Sequence, residues 1–185
     1  MSAVVSAPDP SWTSLVDVLA DLEQQAEALY DVERSLEVAD RARSEYLSVR
    51  LAGRLMASVG TAVALELPHV GWLRGELVRV TATWSHLRVA DRDWVLVHDA
   101  LGAVVGASDR ALPEVAWSPL ARLGPGSVLR RLAGTPTVVR LQRRDGGRLD
   151  GIVRRVGADF VELVVADQAV LVPLASVAAL ASREA

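Results

Sequence analysis

The residues of this chain with the most chemistry to offer are three histidines and a run of arginines. His69, His86 and His98 fall near Asp91, Asp93 and Asp99. Imidazole beside carboxylate is both a zinc-type donor set and a general acid–base pair. The spacing does not gather them: one falls in a turn, one in an alternating stretch and one at a hairpin end. In the internal repeat described below, Glu162 and Leu174 occupy the positions of His86 and His98, so neither position demands imidazole. Ordinary surface histidines are the expectation. Gly124-Pro125-Gly126 and Gly146-Gly147 are turn sequences and lack the context of a phosphate loop or dinucleotide fingerprint. The inventory predicts no enzyme: no catalytic residue, no metal ion, no cofactor and no small-molecule substrate.

The arginines make a sharper case. Between residues 121 and 160 stand nine arginines against three aspartates, a local charge of +6. Guanidinium forks suit phosphate oxygens, so Arg140, Arg143, Arg144, Arg148, Arg154 and Arg155 are candidate contacts to RNA or DNA. The competing reading is a solvated basic face offset by acidic helices of the same or a neighbouring chain. The whole chain carries −3, with 20 basic and 23 acidic groups in 185 residues. That balance argues against a wholesale polyanion binder. All 20 basic residues are arginine, which with the Ala, Val and Leu excess suggests a GC-rich genome. Cysteine is absent, excluding disulfides, thiolate metal sites and thiol chemistry.

The elements that position these residues fall into two kinds. Residues 1–10 read as a disordered tail without the charge and apolar core of a signal peptide. Residues 11–48 read as an acidic helical arm, one helix or two, opened by a Ser14/Asp17 capping box. Leu15, Leu19, Leu22, Leu29 and Leu36 recur on one helical stripe, the expected docking face for a partner helix or for self-association. Beyond them the period shortens to two, and alternating stretches separated by turn residues predict strands. No apolar run is long enough to span a bilayer, so a cytoplasmic protein is expected.

The strand region repeats itself. A shift of 76 positions lays Thr61, Val63, Leu65, Gly71, Leu73, Gly75, Arg79 and Val80 on identical residues at 137, 139, 141, 147, 149, 151, 155 and 156. Ala82, Leu87, Val89, Ala90 and Asp91 likewise meet 158, 163, 165, 166 and 167, and Trp84 meets Phe160. Each unit then has a short helix and about five strands. Gly75 and Gly151 sit in mid-strand, where glycine serves a sharp bend or a close backbone approach. The change of step between 77 and 80, and between 153 and 156, suggests a bulge. Among the tryptophans, Trp84 is expected in the core, Trp72 and Trp94 in the core or a partner groove, and Trp117 as a fastening for the linker.

This pattern of helix, Gly-x-x-Leu-x-Gly strand, aromatic-started strand and final hairpin ending Val-Leu-Val-Pro-Leu-Ala-Ser-Val177 resembles the Sm-like (LSm) small barrel, an SH3-like architecture. The layout with an acidic N-terminal helix is also similar to actinobacterial proteins labelled Fis-family transcriptional regulators. A Fis-type protein needs a C-terminal helix-turn-helix, whereas Val170 to Leu180 reads as strand. The resemblance implies an α+β chain: a long N-terminal helical arm, then two five-stranded barrels at 49–106 and 127–182, each preceded by a short helix and joined by a linker at 107–126. Asp159 and Phe160 match the turn beside that family's RNA pocket. Its basic–glycine pair is absent, Asp99-Ala-Leu-Gly102 and Leu174-Ala-Ser-Val177 standing there instead. The expected function is a non-catalytic adaptor working through the arm and the paired units, with RNA or DNA binding on the arginine face as the alternative.

Overall fold

Apolar residues recur at alternate positions over much of residues 62–182, and these form ten strands. The computed structural model describes residues 43–182 together with Gln24, Tyr30, Arg34, Asp40 and Arg41. The chain divides into two units, 1–48 and 49–185. In the first, Arg41 and Glu45 pair at 3.4 Å and Arg43 and Asp40 at 3.2 Å, both exposed and at helical spacing. The stripe residues Leu15, Leu19, Leu22, Leu29 and Leu36 lie outside the described residues.

The second unit begins with α1 (Leu51–Met56), then β1 (Ala62–Leu67), β2 (Gly71–Val80), β3 (Trp84–Val89), β4 (Arg92–Val97) and β5 (Ala103–Val105). It continues through α2 (Pro125–Leu132), β6 (Val138–Arg143), β7 (Arg148–Val156), β8 (Phe160–Val165), β9 (Gln168–Pro173) and β10 (Val177–Ser182). The boundaries of β6, β8 and β9 lie 76 residues beyond those of β1, β3 and β4. A 3-10 turn follows β4 at His98–Ala100 and β9 at Leu174–Ser176, with the same offset. Ala90 and Ala166 both take positive φ, 50° and 47°, in the two-residue turns leading to β4 and β9.

The mid-strand glycines have one job in both halves. A Cβ on Gly75 would strike the carbonyl oxygen of Arg88, and one on Gly151 would come within 2.6 Å of the carbonyl oxygen of Val164. Only glycine lets β2 approach β3, and β7 approach β8, that closely. Register shifts follow at Leu77/Arg79 and Val153/Arg155, bulges that strengthen the local twist of each long strand. The curled halves bury separate aliphatic clusters. Leu55, Leu65, Leu77, Leu87 and Leu96 centre the first, and Leu129, Leu141, Val153, Val161 and Leu163 the second.

Two independent five-stranded barrels are not what forms. All ten strands join one antiparallel sheet, in the order β5-β1-β2-β3-β4-β10-β6-β7-β8-β9. The seam is β10, which pairs β6 on one side and β4 on the other, with Ala179 opposite Leu96, Leu180 opposite Val95 and Ala181 opposite Trp94. The outer backbone groups of β4 therefore find partners in the other half, and an unpaired edge is removed. Side chains of β10 serve both clusters: Ala178, Ala179 and Ala181 the first, Val177 and Leu180 the second. The α+β arrangement of a long arm and two barrels is thus corrected to a single sheet carrying short helices. The segment expected as a linker, 107–126, carries regular structure. Two 3-10 turns, Glu114–Ala116 and Pro119–Arg122, precede α2. The Trp84 indole donates to the Leu123 carbonyl at 2.8 Å, and the Ala82 amide to that of Ala121 at 2.7 Å. The Trp117 indole donates within the segment, to the carbonyl of Leu112 at 2.9 Å.

Gly151→Ala and Gly75→Ala should each lower unfolding free energy by about 1–3 kcal/mol, the usual cost of forcing atoms into a filled site. Urea titration at 25 °C followed by tryptophan fluorescence measures this. A change within about 0.3 kcal/mol at both positions would contradict the close-approach account.

Candidate functional site

The six candidate arginines come from β6, β7 and the turn between them. Arg140 on β6 stands directly across from Asp150 on β7, and the guanidinium grips that carboxylate with both arms: Nε to Oδ1 at 2.9 Å, Nη2 to Oδ2 at 3.0 Å. Arg143 closes on Asp145 inside the β6–β7 turn. The hydrogen bond from Arg143, and then that from the Gly147 amide, holds the Asp145 carboxyl down to about 2. Arg154 and Arg155 share one carboxylate, Glu162 on β8. Arg154 Nη1 reaches Oε1 at 3.0 Å and Arg155 Nε reaches Oε2 at 2.5 Å. The Glu162 side chain is 5% exposed, so both cations are drawn to a nearly buried acceptor. Hydrogen bonding from Arg155 keeps that carboxyl below the ordinary glutamate range.

Four of the six guanidiniums are therefore already committed to carboxylates. Arg144 donates from Nη1 to the Asp99 carbonyl oxygen at 3.0 Å, tying the β6–β7 turn to the 3-10 turn after β4. Arg148 is exposed. A charge count over 121–160 omits Glu162, which strand pairing places against Arg155. The cross-strand positions of Arg140 and Asp150, two places beyond the Gln142–Arg148 pair that flanks the Gly146-Gly147 turn, were the signal that could have found the other pair.

The histidines do not converge. His69 sits in the β1–β2 turn at φ 65°, with its ring against Gly146. His86 and Asp93 meet at 2.8 Å, and that bond, more than the charges around it, lowers the Asp93 pKa. Among the described residues no group of three or more His, Asp or Glu could hold a metal ion. Trp84 and Trp94 are both buried, which places Trp94 in the first core rather than a groove, while Trp72 is 43% exposed.

One arrangement escaped sequence reasoning. Ser85 on β3 and His98 meet at 2.7 Å, Oγ to Nε2, and the Nδ1–H donates to the Ala82 carbonyl at 3.2 Å. A hydroxyl on an imidazole oriented by a third group is the geometry of an activated nucleophile. Ser85, however, is wholly buried, and no substrate atom reaches its Oγ. In the second half the paired positions are Val161 and Leu174, an apolar pair in place of a polar one. That joint exchange was the available signal, and it marks a packing tie between β3 and the turn. Burial, opposed by the Ala82 bond and the Asp99 charge, lowers the His98 pKa.

The remaining surface feature is apolar. Leu171 on β9 is 62% exposed and Val105 on β5 59%, and these strands form the two ends of the sheet. An open cavity of about 240 Å³ beside β9 is lined by Leu149, Val170, Leu171 and Val172, with the Arg143–Asp145 pair at its rim. No helix among the described residues is long and apolar enough to cross a membrane. Comparison with protein-family models and with curated proteins finds no match for this chain.

His98→Leu should cost about 1–3 kcal/mol by stranding the Ser85 hydroxyl, and adding Ser85→Val should recover most of that loss. A neutral buried imidazole makes the folded state bind fewer protons than the unfolded one. Its contribution is therefore complete above the ordinary value of 6.5 and is lost as pH falls from there through the lower folded value. Denaturant melts between pH 7.5 and 5 should show this decline in the wild type and its absence in Ser85→Val/His98→Leu. Equal slopes would remove His98 as the cause.

Proposed function

We propose that this chain is a non-catalytic interaction protein of the cytoplasm that engages protein partners through the two end strands of its sheet. The observation that carries the reading is the exposure of aliphatic side chains on the two strands that end the sheet among the described residues, Val105 on β5 and Leu171 on β9. Natural sheets blunt their edges with charge, proline or cover, because open backbone groups beside apolar side chains invite another strand. An added strand gains main-chain hydrogen bonds, and alternate side chains supply selectivity. The Ser85–His98 pair, with its serine buried, and the carboxylate-bound arginines support a structural use of the polar groups. The helical spacing of Leu15, Leu19, Leu22, Leu29 and Leu36 in the sequence supports a second association element, outside the described residues. Kinship with Sm-like proteins is part of this proposal and rests on the repeated glycine, bulge and turn positions.

Nucleic-acid binding is the second reading, favoured by the local +6 between 121 and 160. The pairing of Arg140, Arg143, Arg154 and Arg155 argues against it, since the bonded carboxylates offset part of that positive charge.

The immobilised full-length chain should recover a reproducible set of proteins from lysate of its own host. Leu171→Lys and Val105→Lys should deplete that set at least about tenfold, as read by quantitative mass spectrometry, while each variant keeps the wild-type circular dichroism spectrum. Identical recovery by both folded variants would overturn the edge-strand reading. Fluorescence anisotropy with mixed-sequence RNA and DNA at low salt is expected to show no saturable binding. Strong, salt-sensitive binding abolished by charge reversal at Arg143, Arg144 and Arg148 would put the nucleic-acid reading in its place.

A further inference from the structure

The sheet already contains one copy of the contact that its free ends lack. At the internal seam, β4 of the first half meets β10 of the second, and the repeat makes β9 the counterpart of β4 and β5 the counterpart of β10. The other side of each strand confirms the correspondence. Val104 faces Leu65 across β5–β1 as Leu180 faces Leu141 across β10–β6, and Leu171 faces Glu162 across β9–β8 as Val95 faces His86 across β4–β3. The two strands that end the sheet among the described residues, β9 and β5, are thus the counterparts of the two strands of the seam.

We infer that β9 of one copy of this chain pairs antiparallel with β5 of a second copy, repeating the β4–β10 seam between molecules. The repeat fixes the register: Leu96–Ala179, Val95–Leu180 and Trp94–Ala181 at the seam become Val172–Ala103, Leu171–Val104 and Val170–Val105 between copies. Burial supports the match. At the seam Val95 is half-buried and Ala181 is 3% exposed, whereas their counterparts at the open ends, Leu171 and Val105, stand at 62% and 59%. A second copy is the occupant because the partner strand for each edge is present in the chain itself. This inference rests on the edge-strand reading above and names the partner of those same strands.

The contact between copies is weaker than the seam. Inside the chain the seam is fastened by the Asp93 amide on Ser182 Oγ at 3.1 Å and by Arg144 on the Asp99 carbonyl. The corresponding positions at the open ends are Ala169, Gly106, Pro68 and Ala175, where neither side-chain bond can be rebuilt. Association is therefore concentration-dependent. The contact is head-to-tail, so each copy added leaves a fresh β9 and a fresh β5 until a ring closes.

Sedimentation velocity of the full-length chain between about 5 and 500 µM tests this. Wild type should shift to higher mass with concentration, and Leu171→Lys and Val105→Lys should each remain monomeric. Mixing the two variants is the decisive arm. Leu171→Lys keeps an intact β5 and Val105→Lys keeps an intact β9, so the mixture should form a 1:1 dimer and stop there. That heterodimer also shows that both variants are folded. A monomeric wild type at 500 µM, association unchanged in both variants, or no dimer in the mixture would each overturn the inference. Association that survives both variants but is lost in Leu22→Asp/Leu29→Asp assigns it to the N-terminal stripe instead. A monomeric wild type that still captures host proteins through its edges would leave the interaction reading standing while this one falls.

Discussion

The second unit depends on how β10 satisfies its backbone. That strand has two neighbours, β6 from its own half and β4 from the other, so hydrogen bonds that would otherwise face water are exchanged across the repeat boundary. Buried amides and carbonyls without partners are costly, and the two hydrophobic clusters flank this strand. Small side chains make the dual role feasible: Ala178, Ala179 and Ala181 let the first cluster close over β10, while Val177 and Leu180 fill the second. The two halves thereby share one sheet while keeping separate interiors.

The polar groups follow the same economy of pairing. Arg140 with Asp150 is a directly opposed cross-strand pair, and Glu162 gathers Arg154 and Arg155 from the bulged strand β7. Among the described residues, no buried side-chain nitrogen or oxygen lacks a hydrogen-bond partner. Ser85 and His98 satisfy each other inside the first half, where the second half uses Val161 and Leu174. The same backbone position thus accepts a hydrogen-bonded pair or an aliphatic one. The segment between β5 and α2 is held to the first half by backbone bonds at Gly53, Ala82 and Ala121 and by the Trp84 indole. It packs against that half as an ordered strap.

Edge chemistry is where packing and function meet. Both ends of the sheet expose an aliphatic side chain on a strand that has one strand neighbour among the described residues, a combination that favours strand addition. The arginine-rich turn lies near one of these ends, with Arg143 held by Asp145.

Periodicity, turn residues and the 76-residue repeat were legible in the sequence because each is a local property. Gly75, Gly151 and the steps at 77–80 and 153–156 announced sharply bent or bulged strands, and close backbone approaches and register shifts stand there. What the repeat could not announce was which edge pairs with which. Backbone hydrogen bonds carry no sequence label, so β4 could have closed on its own half or joined the other, and only the folded chain decided for β10. The same limit hid the partners of Arg140, Arg154 and Arg155, since ion pairing depends on register across strands and not on charge counted along a window. The Ser85–His98 tie escaped for a related reason: thirteen residues of chain separate two groups that the β3–β4 hairpin brings to 2.7 Å.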